Sequence, residues 1–116
     1  HVRMIRDGKD NMFYKIIGED YVEISFLYAK NTVEKLQAKN PKAEIALFYN
    51  DYSTFYDGKR DAICELVKSI NSYAKDANGN YRKLCDGVGM QSYIGGFGHQ
   101  EGCMDRSDIK SFMVWV

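Results

Sequence analysis

The sequence predicts an α/β fold in which parallel strands are joined by crossover helices. Apolar residues at helical spacing alternate along the chain with short apolar runs of strand length. The connections between these segments are only a few residues long, which favours strands that run in one direction with helices between them. The 116 residues are 45% hydrophobic and include a single proline, as in one folded domain or part of one.

The first predicted helix covers residues 18–40. Its apolar positions recur every three or four residues and so share one face; they are Val22, Phe26, Ala29, Val33 and Leu36. Pro41 disfavours helical geometry at the residue before it, which ends the helix at Asn40. Asparagine is among the few residues that tolerate a left-handed turn at this position.

Two predicted strands flank the second helix. Residues 44–49 are too few for a helix and rich in Ile and aromatic side chains, so they predict a strand buried on both faces. A helix is predicted over about residues 58–77, a turn at Asn78-Gly79-Asn80, and a second strand over residues 84–91. A glycine-rich loop and a third helical pattern, which begins near Asp105, follow.

Polar side chains come at the end of each predicted strand. The first strand leads into Asn50, Asp51 and Tyr52, and the second into Gln91, Ser92 and Tyr93. Ligands of parallel α/β folds meet the carboxyl ends of the strands, so these side chains are expected on one rim. Amide and phenol groups both donate and accept hydrogen bonds, and aromatic rings stack on sugars, which favours a carbohydrate ligand. Alternatively, Asn50 and Asp51 cap the next helix or hold a turn.

Two glycines lie in the second predicted strand. Gly87 and Gly89 are expected to permit close packing at a crowded strand rather than to contact a ligand.

Composition argues against several classes of partner. Sixteen basic residues balance sixteen acidic ones, so we expect neither nucleic acid nor a membrane as partner. No apolar run approaches the roughly 18 residues of a membrane span, and no signal peptide is visible. The opening residues, His1-Val2-Arg3-Met4, indicate a chain that has been processed or cut from something longer.

No cofactor or metal is expected. Three cysteines without CxxC spacing, Cys64, Cys85 and Cys103, predict unpaired structural thiols. The alternating His99, Glu101, Cys103 and Asp105 offer one His and one Cys, a poor basis for a zinc site. The segment Gly95-Gly96-Phe97-Gly98 lacks the helix and downstream acid of a dinucleotide-binding loop.

Three sequence blocks, in this order and at this separation, resemble the family 10 glycoside hydrolases. They are residues 14–21 (YKIIGEDY), 47–52 (LFYNDY) and 86–92 (DGVGMQS). The family consists of xylanases built on the (β/α)8 TIM barrel, and the blocks correspond to its region from just past strand four to the loop after strand six. The resemblance therefore implies a partial barrel, with residues 1–116 forming an internal segment of one catalytic domain.

The resemblance also implies a reaction. Family members hydrolyse β-1,4-xylan with retention, using two glutamates whose carboxyls lie roughly 5 Å apart. The acid/base would lie immediately before His1 and the nucleophile beyond Val116, so this segment would hold no catalytic residue and be inactive alone. The glutamates present, such as Glu19, Glu23, Glu34 and Glu65, are expected on solvated helix faces. Xylan or xylo-oligosaccharide, the remaining barrel segments and a secreted location are implied as well.

Five positions are implied to contact substrate. Asn50 and Gln91 match family residues that reach the sugar and the catalytic carboxylates, and Tyr52 matches an aromatic residue of the cleft. His1 would abut the acid/base. Tyr93 stands where the family usually has a histidine that bonds the nucleophile; a phenol can donate but cannot become a cation near neutral pH.

One further departure concerns Ser53, which stands where the family motif Asn-Asp-Tyr-Asn ends in asparagine. Two other hypotheses remain open from the sequence. One is a small α/β carbohydrate-binding module that does not cleave sugar, and the other an unrelated doubly wound domain with a small-molecule site at its strand ends.

Overall fold

The computed structural model describes residues 8–54 and 57–91, apart from the side chain of Asp57. A 3₁₀ turn at Gly8–Asp10 opens this part of the chain. The helices and strands that follow are α1 (Met12–Ile17), α2 (Tyr21–Lys39), β1 (Phe48–Tyr52), α3 (Asp57–Asn71) and β2 (Gly87–Gln91). The predicted third helix and the glycine-rich loop lie outside the described residues, as does Cys103.

The two strands pair in parallel, which confirms the predicted direction. Their register joins Phe48 to Gly87 and ends with Tyr52 opposite Gln91. Helix α3 connects the strands as a crossover helix, as parallel pairing requires. In the described residues β1 pairs with β2 alone, so the other edge of β1 is open.

Both strands begin later than predicted, and β1 also ends later. Leu47 and Asp86 start the pairing, since the amide of Asp86 donates to the carbonyl of Leu47 at 2.7 Å. Before Asp86 the chain is held by α3 rather than by β1: the backbone of Leu84 and Cys85 bonds to the side chain of Asn71. Residues 44–46 therefore find no strand partner among the described residues.

The predicted first helix, residues 18–40, corresponds to α2, and the short helix α1 before it was not predicted. Asn11 caps α1, its side chain accepting a hydrogen bond from the amide of Phe13 at 2.8 Å. Gly18, at φ 122°, ends α1 in a conformation that glycine adopts easily. Helix α2 ends before Pro41 as predicted, but Asn40 is extended at φ −137° and not left-handed, because a following proline favours extended geometry.

The core lies between the two long helices and one face of the sheet. Ile63, Leu66 and Ile70 of α3 are fully buried and pack with Val22 of α2. The strand residues that contact this core are Tyr49 and Val88. The prediction that β1 is buried on both faces is therefore wrong for the described residues, because their helices cover only one face.

The other face of β1 is open. Phe48 is 58% exposed and Tyr52 42%, and Asn50 between them is also exposed. Successive strand residues point to opposite sides, so these three share the uncovered face.

Helix α3 ends at Asn71, six residues before the predicted end at residue 77. The Asn71 side chain turns toward the chain that enters β2 and accepts hydrogen bonds from the amides of Leu84 and Cys85, both at 2.8 Å. Its amide group donates to the carbonyl of Cys85 at 3.1 Å. The turn at residues 78–80 is confirmed, with Gly79 at φ 83°.

Two predictions about single side chains have different outcomes. Cys64 and Cys85 are both free, as predicted. Glu23 is not on a solvated face: it is 3% exposed and accepts a hydrogen bond from the Ser69 hydroxyl at 2.7 Å. Its position in the first turn of α2 faces α3, which a pattern within one helix cannot show.

Burial raises the pKa of the Cys85 thiol above its ordinary value, so this thiol stays protonated near neutral pH.

No helix in residues 8–54 or 57–91 is both long and apolar enough to cross a lipid bilayer.

Candidate functional site

The open face of the sheet brings together three of the predicted site residues. Asn50, Tyr52 and Gln91 point to this side, because residues paired in register share a face and Tyr52 is opposite Gln91. Asn50 lies inside β1 and Tyr52 ends it, so the prediction that Asn50 follows the strand is wrong. The strand extends through these residues because β2 supplies partners up to Gln91.

The two glycines of β2 make room for side chains of β1. A Cβ atom at Gly89 would lie 2.7 Å from Oδ1 of Asn50, and one at Gly87 would lie 2.7 Å from the ring of Phe48. Real Cβ atoms do not approach this closely, so Asn50 and Phe48 can lie across β2 only because glycine stands opposite. The predicted packing role of the glycines is confirmed, and one of the side chains they admit is a candidate site residue.

Asp51 does not belong to the open face. Its side chain is fully buried on the helix side, where its carboxylate accepts hydrogen bonds from the Tyr49 hydroxyl at 2.7 Å and from Lys59 Nζ at 3.0 Å. The backbone amide of Tyr52 is a third donor, at 2.7 Å. Burial acts to raise the pKa of Asp51, but these donors and the charge of Lys59 outweigh it, and the pKa lies below the ordinary value of 3.8.

The sequence had left two roles open for Asp51, and the structure supports the structural one. The buried carboxylate ties the end of β1 to the first turn of α3 through Lys59.

Lys59 is the residue that sequence reasoning missed. Its ammonium pairs with Asp51 and also lies over the ring of Tyr52, 3.5 Å from the ring centroid. A signal was present in the sequence: Lys59 precedes Ile63, Leu66 and Ile70 at the same spacing of three and four residues. A lysine in register with a buried stripe is a candidate for a buried ion pair, since lysine is almost never fully buried unless it is paired.

The chain turns sharply after Tyr52. Ser53 has φ 49°, the left-handed region that residues other than glycine, asparagine and aspartate rarely adopt. Position 53, where the family motif has asparagine, therefore has a strained backbone conformation for which serine is poorly suited.

Ser53→Asn is expected to raise the free energy of unfolding by about 0.5–1 kcal/mol, because asparagine tolerates left-handed geometry better than serine. Ser53→Ala is the matched control: its Cβ meets the same backbone clash, so it should bring no such gain. Urea denaturation followed by circular dichroism measures both. An alanine variant stabilised as much as the asparagine variant would contradict this explanation.

His1 and Tyr93 lie outside the described residues, and so does Ser92. Their predicted contacts remain predictions. Gln91 is the last described residue of β2 and is partly exposed.

A groove of about 310 Å³ lies beside β1 but does not coincide with the predicted rim. Its wall is mainly apolar, with Phe13, Tyr21, Phe26 and Tyr49 among the lining residues. Asn50 reaches its edge, whereas Tyr52 and Gln91 do not line it.

Within the described part of the chain, no three His, Cys, Asp or Glu side chains are grouped as metal ligands would be. The chemistry available on the open face is that of the Phe48 and Tyr52 rings and two amides, which suits neutral polar ligands.

Comparison with known proteins identifies one family. The model of glycosyl hydrolase family 10 matches residues 3–113. No solved structure matches the chain.

Several curated relatives bear the name endo-1,4-beta-xylanase. A putative endo-1,4-beta-xylanase of Caldicellulosiruptor saccharolyticus is 36% identical over 103 residues, which are 89% of this chain and 27% of the relative. Endo-1,4-beta-xylanase A of Xylanibacter ruminicola is 32% identical over 106 residues, 91% of this chain and 24% of the relative. Endo-1,4-beta-xylanase A of Thermotoga neapolitana is 40% identical over 89 residues, 76% of this chain and 7% of the relative. The chain thus spans about a quarter or less of the length of these relatives.

Proposed function

The chain belongs to glycosyl hydrolase family 10, and we propose that it is an internal segment of a (β/α)8 barrel that hydrolyses xylan. The parallel pair, the crossover helix and the open edge of β1 suit one arc of such a barrel. The uncovered sheet face would be turned toward the barrel interior, with α2 and α3 outside. The remaining segments of the barrel are then the partners that cover the open edge and face.

The proposed reaction is the retaining hydrolysis of β-1,4-xylan by an endo-xylanase. The two glutamates would come from polypeptide outside this segment, which would supply cleft-lining residues only. The glutamates of α2 and α3 support this: Glu23 bonds to Ser69, Glu34 pairs with Arg82 at 2.9 Å and Glu65 pairs with Lys68 at 2.8 Å. All three lie on helices, and those helices pack against the face of the sheet opposite to Asn50.

The observation that carries the proposal is the grouping of Asn50, Tyr52 and Gln91 on the open face at the carboxyl ends of two parallel strands. The two amides can donate to and accept from sugar hydroxyls, and the ring of Tyr52 can stack on a xylose face. We propose His1 and Tyr93 as further substrate contacts, Tyr93 as a neutral donor to the nucleophile.

The intact mass of the protein as its source produces it tests the segment proposal. We expect a species about three times the 13.4 kDa of this chain. A cooperatively melting monomer of 13.4 kDa would instead favour the small carbohydrate-binding module.

Release of reducing sugar from xylan tests the reaction. The full-length protein should release it, and the 116 residues alone should not. Activity from the segment alone would contradict the proposed location of the glutamates. Xylanase activity in the culture medium would support secretion, which we propose because a polymeric substrate has to be met outside the cell.

Gly89→Ala should lower kcat/KM of the full-length protein on xylan by roughly 10- to 100-fold, because the new methyl group displaces the Asn50 amide. The methyl group would lie 2.7 Å from Oδ1 of Asn50, so this side chain has to rotate away. Initial rates at low substrate concentration measure the effect.

Gly87→Ala is the control for Gly89→Ala. It introduces the same methyl group on the same strand and displaces the ring of Phe48, which is not a proposed substrate contact. Equal losses from the two variants would show a general disturbance of β2 and contradict the role given to Asn50.

A further inference from the structure

Lys59 crosses the carboxyl end of β1 and contacts two consecutive residues that point to opposite faces of the sheet. Its ammonium lies 3.0 Å from Oδ1 of Asp51 on the helix side. The same ammonium lies 3.5 Å from the centroid of the Tyr52 ring, which belongs to the open face. One side chain of α3 thereby touches a residue of the candidate sugar-binding face.

The position of this ammonium is fixed by its surroundings. The side chain of Lys59 is 11% exposed and that of Asp51 is fully buried. Asp51 is itself held by the Tyr49 hydroxyl at 2.7 Å and by the amide of Tyr52 at 2.7 Å. A buried ammonium needs its counter-charge, so Lys59 cannot leave Asp51 without a large desolvation cost.

The fixed ammonium restrains the Tyr52 ring. A cation over an aromatic face is attracted by the ring quadrupole, most strongly where water is excluded. Because Lys59 occupies one face of the ring, the opposite face is the one left for a ligand, and Tyr52 is 42% exposed. A ring ordered in advance loses less entropy when a sugar stacks on it.

We propose that Lys59 is a positioning residue that holds the ring of Tyr52 for stacking on xylan; this inference rests on the proposed function. Lys59 does not touch the sugar and acts through Tyr52. The alternative is a purely structural role, in which Lys59 only neutralises the charge of Asp51. The two differ in one respect: a purely structural lysine would affect activity whether or not Tyr52 is present.

The first test uses the full-length protein and xylo-oligosaccharides. Lys59→Met should lower kcat/KM roughly 5- to 30-fold, mainly through KM, since stacking holds the substrate before and during reaction. Lys59→Arg should restore most of the activity, because a guanidinium can pair with Asp51 and stack on the ring. The control is Lys68→Met on the same helix, whose lysine is 67% exposed and should tolerate the change.

The second test repeats Lys59→Met in a Tyr52→Ala background. If Lys59 acts through the ring, the substitution should have almost no further effect on kcat/KM there. An equal loss in both backgrounds would overturn the inference. All rates are taken well below the melting temperature of the least stable variant, so that unfolding does not mimic the effect.

A third measurement needs neither substrate nor substitution. The ε-methylene protons of Lys59 should be shifted upfield in the NMR spectrum relative to those of Lys68, because they lie near the face of an aromatic ring. Absence of this shift would overturn the proposed geometry. A wild-type protein that leaves xylan intact would reject the proposed function, whereas an active wild type matched by Lys59→Met would reject the positioning role alone.

Discussion

Asp51→Asn is expected to lower the free energy of unfolding by about 3 kcal/mol, because it leaves the ammonium of Lys59 buried without a counter-charge. The side chains involved are 0% and 11% exposed, so water can compensate little of the loss. Urea denaturation at neutral pH measures the change.

The control for Asp51→Asn is the double variant Asp51→Asn with Lys59→Met. It removes both charges and should be more stable than Asp51→Asn alone, because no buried unpaired charge remains. A double variant that is less stable than the single one would contradict the role of the ion pair.

The same ion pair has a pH signature of known sign. The folded-state pKa of Asp51 lies below the ordinary value of 3.8. The ionised carboxylate therefore contributes its full stabilisation of the fold above pH 3.8, and this contribution is lost as the pH falls through the folded-state pKa. The stability gap between wild type and Asp51→Asn should therefore shrink in acid below pH 3.8. A gap that stayed constant down to the acid transition would show that the charge of Asp51 is not what matters.

Asn71→Ala is expected to lower the free energy of unfolding by about 3 kcal/mol, since it leaves backbone groups of two buried residues without a hydrogen-bond partner. The Asn71 side chain bonds the amides of Leu84 and Cys85 and the carbonyl of Cys85. Leu84 is 0% exposed and Cys85 1%, so water does not replace these partners. Thermal unfolding followed by circular dichroism measures the loss.

Two variants calibrate the Asn71 result. Asn71→Asp keeps an oxygen for both amides but loses the donor to Cys85, and its stability should lie between wild type and Asn71→Ala. Asn78→Ala, in the exposed turn, should change stability little. If Asn71→Ala were as mild as Asn78→Ala, the hydrogen bonds to the entry of β2 would not be what fixes the start of that strand.

Local patterns were enough for α2, for the presence of α3 and for the direction of the strands. The spacing of Val22 and Val33 marks the buried side of α2, and Pro41 marks its end. These features depend on residues a few positions apart, so they can be seen without the fold. The blocks that resemble family 10 were sufficient to identify the family, and the family model confirms it.

Strand ends depended on contacts that no local pattern contains. The Asn71 side chain binds the amides of Leu84 and Cys85, so these residues do not pair with β1. Strand β2 continues to Gln91, and β1 therefore has a pairing partner as far as Tyr52. Of the side chains predicted on the rim, Asn50, Tyr52 and Gln91 share one face of the sheet and Asp51 is buried, whereas Ser92 and Tyr93 lie outside the described residues. Alternation along β1 turns Asp51 to the helix side, and this became clear only once the strand bounds were known.

By itself, the sequence determined the α/β class, the family and the polar residues that end the strands, because periodicity and motif order are properties of the chain alone. Only the tertiary structure decided that Lys59 joins Asp51 to Tyr52, that Gly89 admits Asn50, that Ser53 is strained and that Glu23 is buried. Each of these is a distance between groups or a backbone angle fixed by packing, and such quantities exist only after the chain has folded.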